Sequence, residues 1–291
     1  MLDAAVGAGA TLVPLPAADT IVWGGADAPG ELADLLVEHG DHIEWVQLPW
    51  AGVEPYLDLF DTSRTWTCAK GAYGDDVAEM ALAMMLAGRR ALVRYGRSTS
   101  WRADGELGTN LLGARVTIVG GGGIATNLLA LLAPFGCTTT VVRRAPEPVP
   151  GADRTVGPEE LDDALADADA VVLALASTPA TRGLIDARRL GLMGPEAWLV
   201  NVARGAHVVT DDLVAALRDR VIGGAALDVT DPEPLPDGHP LWSLPNCLIT
   251  PHVANTSTML APRLAERIRE NVRRRSDGRP LLGVVDRDAG Y

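Results

Sequence analysis

The sequence predicts an α/β protein of two domains, each built on a mostly parallel sheet, and three observations carry that expectation. From Arg115 onward short apolar runs alternate with helical stretches; a glycine-rich turn joins one such run to the helix after it; and a length of 291 residues, 47% of them hydrophobic, suits two domains of ordinary size.

In chain order, Leu2 to Ala8 reads as the tail of a helix rather than as a strand. The first domain is therefore expected either to have a trimmed sheet edge or to belong to a natural chain that starts upstream of Met1. Thr11 to Val13 and Thr20 to Trp23 read as strands, Pro29 to Glu38 as a helix, Ile43 to Leu48 as a strand, and Asp75 to Val93 as a long apolar helix. Gly96 to Asn110 is polar and interrupted by glycine, which places the crossing between domains there. Strands follow at Val116 to Val119, Thr138 to Val142, Ala170 to Leu175, Trp198 to Val202, Gly224 to Leu227 and Cys247 to Thr250. Helical segments at Ile124 to Ala133, Pro158 to Ala166 and Asp211 to Leu217 lie between them, as a parallel sheet with helices on both faces requires. A helix from Thr258 to Arg275, apolar at Met259, Leu260, Leu264, Ile268 and Val272, returns the chain to the first domain. Arg273, Arg274 and Arg275 crowd its last turn, where cations complement the helix dipole.

Charge narrows the possible partners. There are 25 Lys plus Arg against 38 Asp plus Glu, a net charge of −13, and Lys70 is the single lysine. Such an excess of negative charge repels phosphate backbones, so nucleic acid is not expected as a partner, and any anionic ligand must be met by a few placed arginines. The amino terminus lacks a basic segment followed by an apolar core, and no apolar run approaches the ~18 residues of a membrane span, so a cytoplasmic location without membrane attachment is expected. Cys68, Cys137 and Cys247 are odd in number and far apart, which argues against disulfides and a metal site and for three small buried hydrophobes.

The run Val116-Thr117-Ile118-Val119-Gly120-Gly121-Gly122-Gly123-Ile124-Ala125 fits a G-x-G-x-x-A phosphate loop at Gly120, Gly122 and Ala125. Here the first glycine turns the chain, the second admits a pyrophosphate, and the small third residue lets helix and strand pack closely. Amides of Gly123 and Ile124, at the start of the helix, are the expected donors. At the end of the next strand, where an NAD enzyme usually carries an acid for the ribose hydroxyls, this chain has Arg143 followed by Arg144. A guanidinium grips a 2′-phosphate that a carboxylate would repel, so NADP(H) is the expected cofactor and NAD(H) the alternative.

Three polar residues then fall just past strand ends: Arg204 in Asn201-Val202-Ala203-Arg204-Gly205, Glu233 in Asp228-Val229-Thr230-Asp231-Pro232-Glu233-Pro234, and His252 in Thr250-Pro251-His252. With the glycine loop, these segments in this order make the chain resemble the D-isomer-specific 2-hydroxyacid dehydrogenases, in particular the glyoxylate/hydroxypyruvate reductase-like branch, from about Ile21 to Asp286. The resemblance implies two Rossmann- or flavodoxin-like domains with the active site in the cleft between them: residues 1–95 and 265–291 for substrate, and 96–264 for the dinucleotide.

The resemblance also implies roles. Arg204 binds the carboxylate of a 2-oxoacid and polarises its carbonyl, a task suited to a planar fork that is always charged. His252 donates a proton to the carbonyl oxygen as hydride arrives, and Glu233 favours the protonated ring and holds it in place. Asp228 contacts the nicotinamide side, with Leu175, Val202 and Asn255 as further cofactor contacts. Trp50 and Gly52, in Leu48-Pro49-Trp50-Ala51-Gly52-Val53, resemble the loop that closes over substrate. Lys70 and Gly71 resemble the loop that receives the carboxylate. Asp231 competes with Glu233 for the role of histidine partner, and the E-P dipeptide favours Glu233. His39, His42, His207 and His239 read as exposed or satisfied structural histidines.

Arg143, Ala125 and Ala176 depart from the family pattern, which more often has an acid, a glycine and a proline there, and only Arg143 should change the chemistry. The expected activity is thus NADPH-linked reduction of a small 2-oxoacid. An NAD-linked D-2-hydroxyacid dehydrogenase and a dinucleotide-sensing protein like the corepressors of this fold are the alternatives. A homodimer is expected through the helix Asp75 to Val93, since Met80, Leu82, Met84, Met85 and Leu86 offer more apolar surface than one face needs; burial within one subunit is the other reading.

Overall fold

A computed structural model describes residues 1–25, 28–101 and 106–287. The described chain holds, in order, α1 (Leu2–Val6), β1 (Thr20–Val22), α2 (Pro29–His39), β2 (Trp45–Gln47), β3 (Thr65–Thr67), α3 (Gly74–Arg89), α4 (Leu92–Gly96), β4 (Arg115–Val119), α5 (Gly123–Leu132), β5 (Thr138–Val142) and β6 (Arg154–Val156). There follow α6 (Leu161–Ala166), β7 (Ala170–Leu173), α7 (Ala187–Leu192), β8 (Trp198–Asn201), α8 (Thr210–Arg218), β9 (Gly224–Leu227), α9 (Pro240–Ser243), β10 (Cys247–Ile249) and α10 (Ser257–Ser276). These elements form two compact units, Met1–Tyr73 with Asn255–Tyr291, and Gly74–Ala254.

In the first unit β1, β2 and β3 form a parallel sheet in that order, with Trp45 opposite both Thr20 and Thr65. Leu32, Val46, Leu48, Tyr56 and Trp66 make its core. The helical reading of the start agrees with α1. Thr11 to Val13, expected as a strand, is not one: Leu12 and Val13 are exposed, and Pro14 and Pro16 next to them lack the N–H a ladder needs. β3 did not stand out because Thr-Trp-Thr carries one apolar residue between two polar ones. Helix α10 buries Leu264, Ile268 and Val272 together with Asn271, whose Nδ2 donates to Gln47 Oε1 (3.1 Å) and Leu282 O (3.0 Å).

The second unit is a seven-stranded parallel sheet in the order β10-β9-β8-β7-β4-β5-β6. One face packs on Leu161 and Leu165 of α6, Leu190 of α7 and Leu213 and Leu217 of α8; the other on Ala78, Ala81 and Met84 of α3 and Leu128 and Leu132 of α5. Strand order reverses between β4 and β7, and in open α/β sheets ligands bind beyond the carboxyl ends of the strands at such a switch point.

The long apolar helix differs from its expected form in extent and in place. Ala91 takes a left-handed backbone (φ 52°), which ends α3 at Arg89 and starts α4 one residue later. The sequence pattern groups this helix with the first domain, yet it packs within the second unit. A Cβ on Gly88 would lie 2.2 Å from the Trp198 ring and one on Gly74 would lie 3.1 Å from the Gly123 carbonyl carbon. Arg89 is buried and donates to Asn110 O (3.0 Å) and Asp169 O (2.9 Å). Met84 and Met85 are therefore core residues of this chain. The expected crossing at Gly96 to Asn110 includes residues 102–105, which lie outside the described residues. Among the described residues no helix is long and apolar enough to cross a membrane.

Candidate active site

The glycine run leaves β4 at the switch point. Gly120 has φ 116°, and a Cβ there would sit 2.1 Å from Ala174 O at the end of β7, so both backbone conformation and space demand glycine. Gly122 is the extended N-cap of α5, no side chain caps that helix, and a Cβ on Gly122 would meet nothing within 4 Å. The amides of Gly123, Ile124 and Ala125 precede the first helical bond, Thr126 N to Gly122 O (3.1 Å). Free amides, a positive dipole end and open space in front of the loop fit a pyrophosphate. Ala125 is fully buried, as close packing of this helix requires.

Arg143, at the end of β5, is anchored by its N–H to Val156 O (3.0 Å), and its side chain lies along the loop: a Cβ on Gly121 would be 2.8 Å from Arg143 Cδ and 3.1 Å from Nε. Arg144 follows on the surface. Leu175 lies on the other side, where its N–H group would be 3.0 Å from a Cβ on Gly120.

The carboxyl ends of β8, β9 and β10 carry the three polar residues. His252 Nδ1 lies 2.6 Å from Glu233 Oε1. A carboxylate only accepts, so Nδ1 carries the proton in this pair and Nε2 is left for another partner. Glu233 Oε2 accepts from Thr230 N (3.4 Å). His252 itself has φ 52°, a left-handed conformation uncommon for a side chain of this size. Asp231, the competing acid, faces Arg182 instead at 3.5 Å, on the exposed side of the turn.

Asp228 explains the strained histidine. The resemblance assigns this acid to the nicotinamide side, whereas its carboxylate is buried and accepts from Thr250 Oγ1 (2.5 Å), Val253 N (2.9 Å) and Ala254 N (2.9 Å). Its backbone carbonyl accepts from His252 N (2.8 Å). Asp228 thus clamps the turn on both sides of His252.

Arg204 is half-buried on the loop after β8, and its Nη1 donates to Ala203 O (2.8 Å). Asn201 shapes that loop from a fully buried position: its Nδ2 donates to Arg204 O (2.8 Å) and its Oδ1 accepts from Ala203 N (3.1 Å). Val202 is buried beside them. Gly205 brings the loop against the glutamate turn, because a Cβ there would lie 1.9 Å from the Thr230 carbonyl carbon. Gly205→Ala must push the two segments apart. It is expected to lose about 1 to 3 kcal/mol of stability and most of the activity, as read by thermal unfolding and by kcat; a variant with native Tm and kcat would refute this packing role.

In the first unit the two expected substrate loops are tied together. Ala69 N donates to Trp50 O (2.8 Å), Tyr73 OH to Pro49 O (2.7 Å), and Arg267 of α10 to Cys68 O (3.1 Å) and Lys70 O (2.9 Å). Gly71 has φ 77°, which suits glycine. Asn255 opens the segment that follows the histidine turn, and its Oδ1 is buried without a hydrogen-bond partner, an acceptor suited to an amide N–H.

Sequence reasoning missed the supporting side chains. Asn201 stands in the quoted motif with a visible position but no visible partner. Arg267 and Tyr73 gave no signal, since an arginine on a basic helix and an aromatic in a loop are ordinary. All three cysteines are free thiols; Cys68 and Cys247 are buried as expected, Cys137 is only partly buried, and burial pushes Cys247 up to about 12.

A phosphate loop at the switch point of a parallel sheet, with an arginine and a histidine–carboxylate pair along the same carboxyl edge, defines a dinucleotide-dependent oxidoreductase. Residues 80–254 match the family described as D-isomer specific 2-hydroxyacid dehydrogenase, NAD binding domain. The chain belongs to that family of NAD(P)-dependent 2-hydroxyacid dehydrogenases. It is 40% identical over 280 residues to the "Uncharacterized protein in proB 3'region" of Corynebacterium melassecola, covering 94% of this chain and 90% of that one. It is 35% identical over 177 residues to glyoxylate/hydroxypyruvate reductase A of Photorhabdus laumondii, a match spanning 60% of this chain and 56% of the reductase. Among solved structures, the D-isomer specific 2-hydroxyacid dehydrogenase of Xanthobacter autotrophicus Py2, in complex with NADPH and MES, superposes with a TM-score of 0.81 at 30% identity, covering 98% of this chain and 89% of that one. The NADPH-dependent glyoxylate/hydroxypyruvate reductase of Sinorhizobium meliloti, with NADP and sulfate, gives a TM-score of 0.81 at 27% identity, covering 94% and 87%.

Proposed function

We propose that the protein reduces a small 2-oxoacid of the glyoxylate or hydroxypyruvate kind to its D-2-hydroxyacid, with NADPH as the preferred reductant. The observation that carries the reading is the 2.6 Å pair of His252 Nδ1 and Glu233 Oε1 on the carboxyl edge that also bears Arg204 and the phosphate loop. A bound nicotinamide dinucleotide supplies the hydride. Gly120, Gly122, Gly123 and Ile124 bind its pyrophosphate, Arg143 and Arg144 its 2′-phosphate, and Leu175, Val202 and Asn255 are assigned to its remaining contacts. Arg204 holds the substrate carboxylate and draws charge from the carbonyl, His252 delivers the proton from Nε2 to the carbonyl oxygen, and Glu233 stabilises the ring while it is charged. Asp228 serves this end of the cofactor by fixing the turn that presents His252. Trp50, Gly52, Lys70 and Gly71 are assigned to substrate binding, on the resemblance and on the bonds that join their loops.

The test is oxidation of NADPH, followed by its absorbance, with glyoxylate, hydroxypyruvate, pyruvate and phenylpyruvate. Turnover is expected with the first two, and tight dinucleotide binding without turnover of any 2-oxoacid would overturn the reading in favour of a sensor. The preference for NADPH is supported by the position of Arg143 along Gly121. Arg143→Ala loses a charge-assisted contact, so KM for NADPH is expected to rise about 10- to 100-fold with KM for NADH little changed. A wild-type preference for NADH that persists in the variant would defeat the assignment.

A homodimer is part of the same proposal. Met80, Leu82 and Leu86 of α3 are only partly buried, and Leu92 and Tyr95 of α4 are exposed beside them in sequence. Light scattering is expected to give twice the 30.6 kDa chain mass. A reducing, cytoplasmic location agrees with the three free thiols.

A further inference from the structure

We propose that His207 is a positioning residue that braces the arginine segment against the loop after β7, so that the group holding substrate and the strand end beside the phosphate loop keep a fixed distance. This deepens the proposed reductase reading and rests on it for the role of Arg204. His207 is fully buried three residues after Arg204, and its backbone N–H donates to Arg204 O (3.2 Å). Its ring spans to the neighbouring loop: Nδ1 lies 3.0 Å from Thr181 O and Nε2 3.3 Å from Leu175 O. The two segments are also stitched through the backbone, by Gly183 N to Ala206 O (2.7 Å) and Ile185 N to His207 O (2.8 Å), and by the bridge of Ile185 with Val208. Those bonds lie at one end of the 175–185 loop. The ring reaches the other end through Thr181, whose Oγ1 donates to Ala176 O (3.0 Å), two residues after the Ala174 carbonyl that packs on Gly120.

Chemistry favours a histidine here over an apolar residue of similar size. Carbonyl oxygens only accept and a neutral imidazole carries one N–H, so the shorter contact places the ring proton on Nδ1 toward Thr181. Removing the ring would leave the part-buried Thr181 carbonyl without this donor and free the Leu175 end of the loop to shift. A movement there alters the phosphate loop and Arg204 together, because the brace joins them.

The test compares His207→Leu with His207→Asn, whose amide N–H can occupy the place of Nδ1–H, in the full-length protein. For His207→Leu, KM for the 2-oxoacid and the dissociation constant of NADPH, the latter read from NADPH fluorescence without substrate, are each expected to rise about tenfold or more. For His207→Asn both should return to within about threefold of wild type. Nitrogen-15 NMR of the wild type should show Nδ1 protonated. His207→Leu with wild-type constants would overturn the proposal, and so would His207→Asn as impaired as His207→Leu, or a wild-type ring whose Nδ1 carries no proton. If His207→Leu does not fold, the asparagine variant and the NMR signal still decide. The NADPH measurement needs no turnover, so a wild type that binds NADPH but reduces no 2-oxoacid would sink the reductase reading while leaving the brace to be judged by binding.

Discussion

Replacing His252 by Asn is expected to lower kcat for 2-oxoacid reduction by about 10²- to 10⁴-fold, the range that a positioned general acid supplies. Asparagine cannot deliver a proton from the place of Nε2, while the phosphate loop and Arg143 lie on other strand ends and stay intact, so NADPH should bind as in wild type. Glu233→Gln should act in the same direction and less severely: the amide keeps the shape of the carboxylate that lies 2.6 Å from Nδ1 but loses the charge that stabilises the ring. Steady-state kinetics with a fluorescence titration of NADPH separates the two effects. A His252→Asn variant with near-normal kcat would remove His252 from the reaction.

Asp228→Ala is expected to cost about 2 to 4 kcal/mol of stability and to reduce kcat by a further ~100-fold or more in whatever protein folds. Its carboxylate is the acceptor for one hydroxyl and two backbone N–H groups between Thr250 and Ala254, all at a residue that is only 2% exposed. That network opposes the strain of His252 at φ 52°, a conformation that costs about 1 to 2 kcal/mol and persists only when its surroundings hold it. Asp228→Asn keeps one acceptor oxygen and the side-chain volume, so it should fall between wild type and the alanine variant in both Tm and kcat. An alanine variant matching wild type in both measurements would show that the turn stands without the clamp.

Both predictions rest on contacts that the sequence did not announce in full. The strand–glycine–helix run, the arginine after β5 and the arginine, glutamate and histidine at successive strand ends were legible because each is a local demand. A tight turn needs Gly120, a helix start needs free amides, and hydride chemistry needs a proton donor with a carboxylate. Strands β7, β8 and β9 were legible for a similar reason, since a strand buried at every residue is a near-continuous apolar run, and β4, β5 and β10 were legible from their regular alternation with helices. β3 and β6 were not, because Thr-Trp-Thr and Arg-Thr-Val each carry a single apolar residue, too little pattern to separate a strand from a loop. Thr11 to Val13 misled because β-branched residues signal a strand even where neighbouring prolines deny it a partner.

Residue chemistry and local backbone requirements were thus written in the order of the letters, and they were enough to place the chain among the 2-hydroxyacid dehydrogenases and to single out the residues proposed to act. What the folded chain added is pairing at a distance. Glu233 rather than Asp231 meets the histidine because the turn aims one acid at the His252 ring and leaves the other at Arg182. Asp228 commits its carboxylate to the turn that carries His252, and His207 lies against carbonyls 26 and 32 residues before it on one loop. Helix α3 joins the nucleotide unit because Gly88 admits the Trp198 ring at a distance a Cβ would forbid and Gly74 lets Gly123 approach closely. Contacts of this kind depend on side-chain fit between segments brought together by the sheet order, and no spacing along the chain encodes that fit.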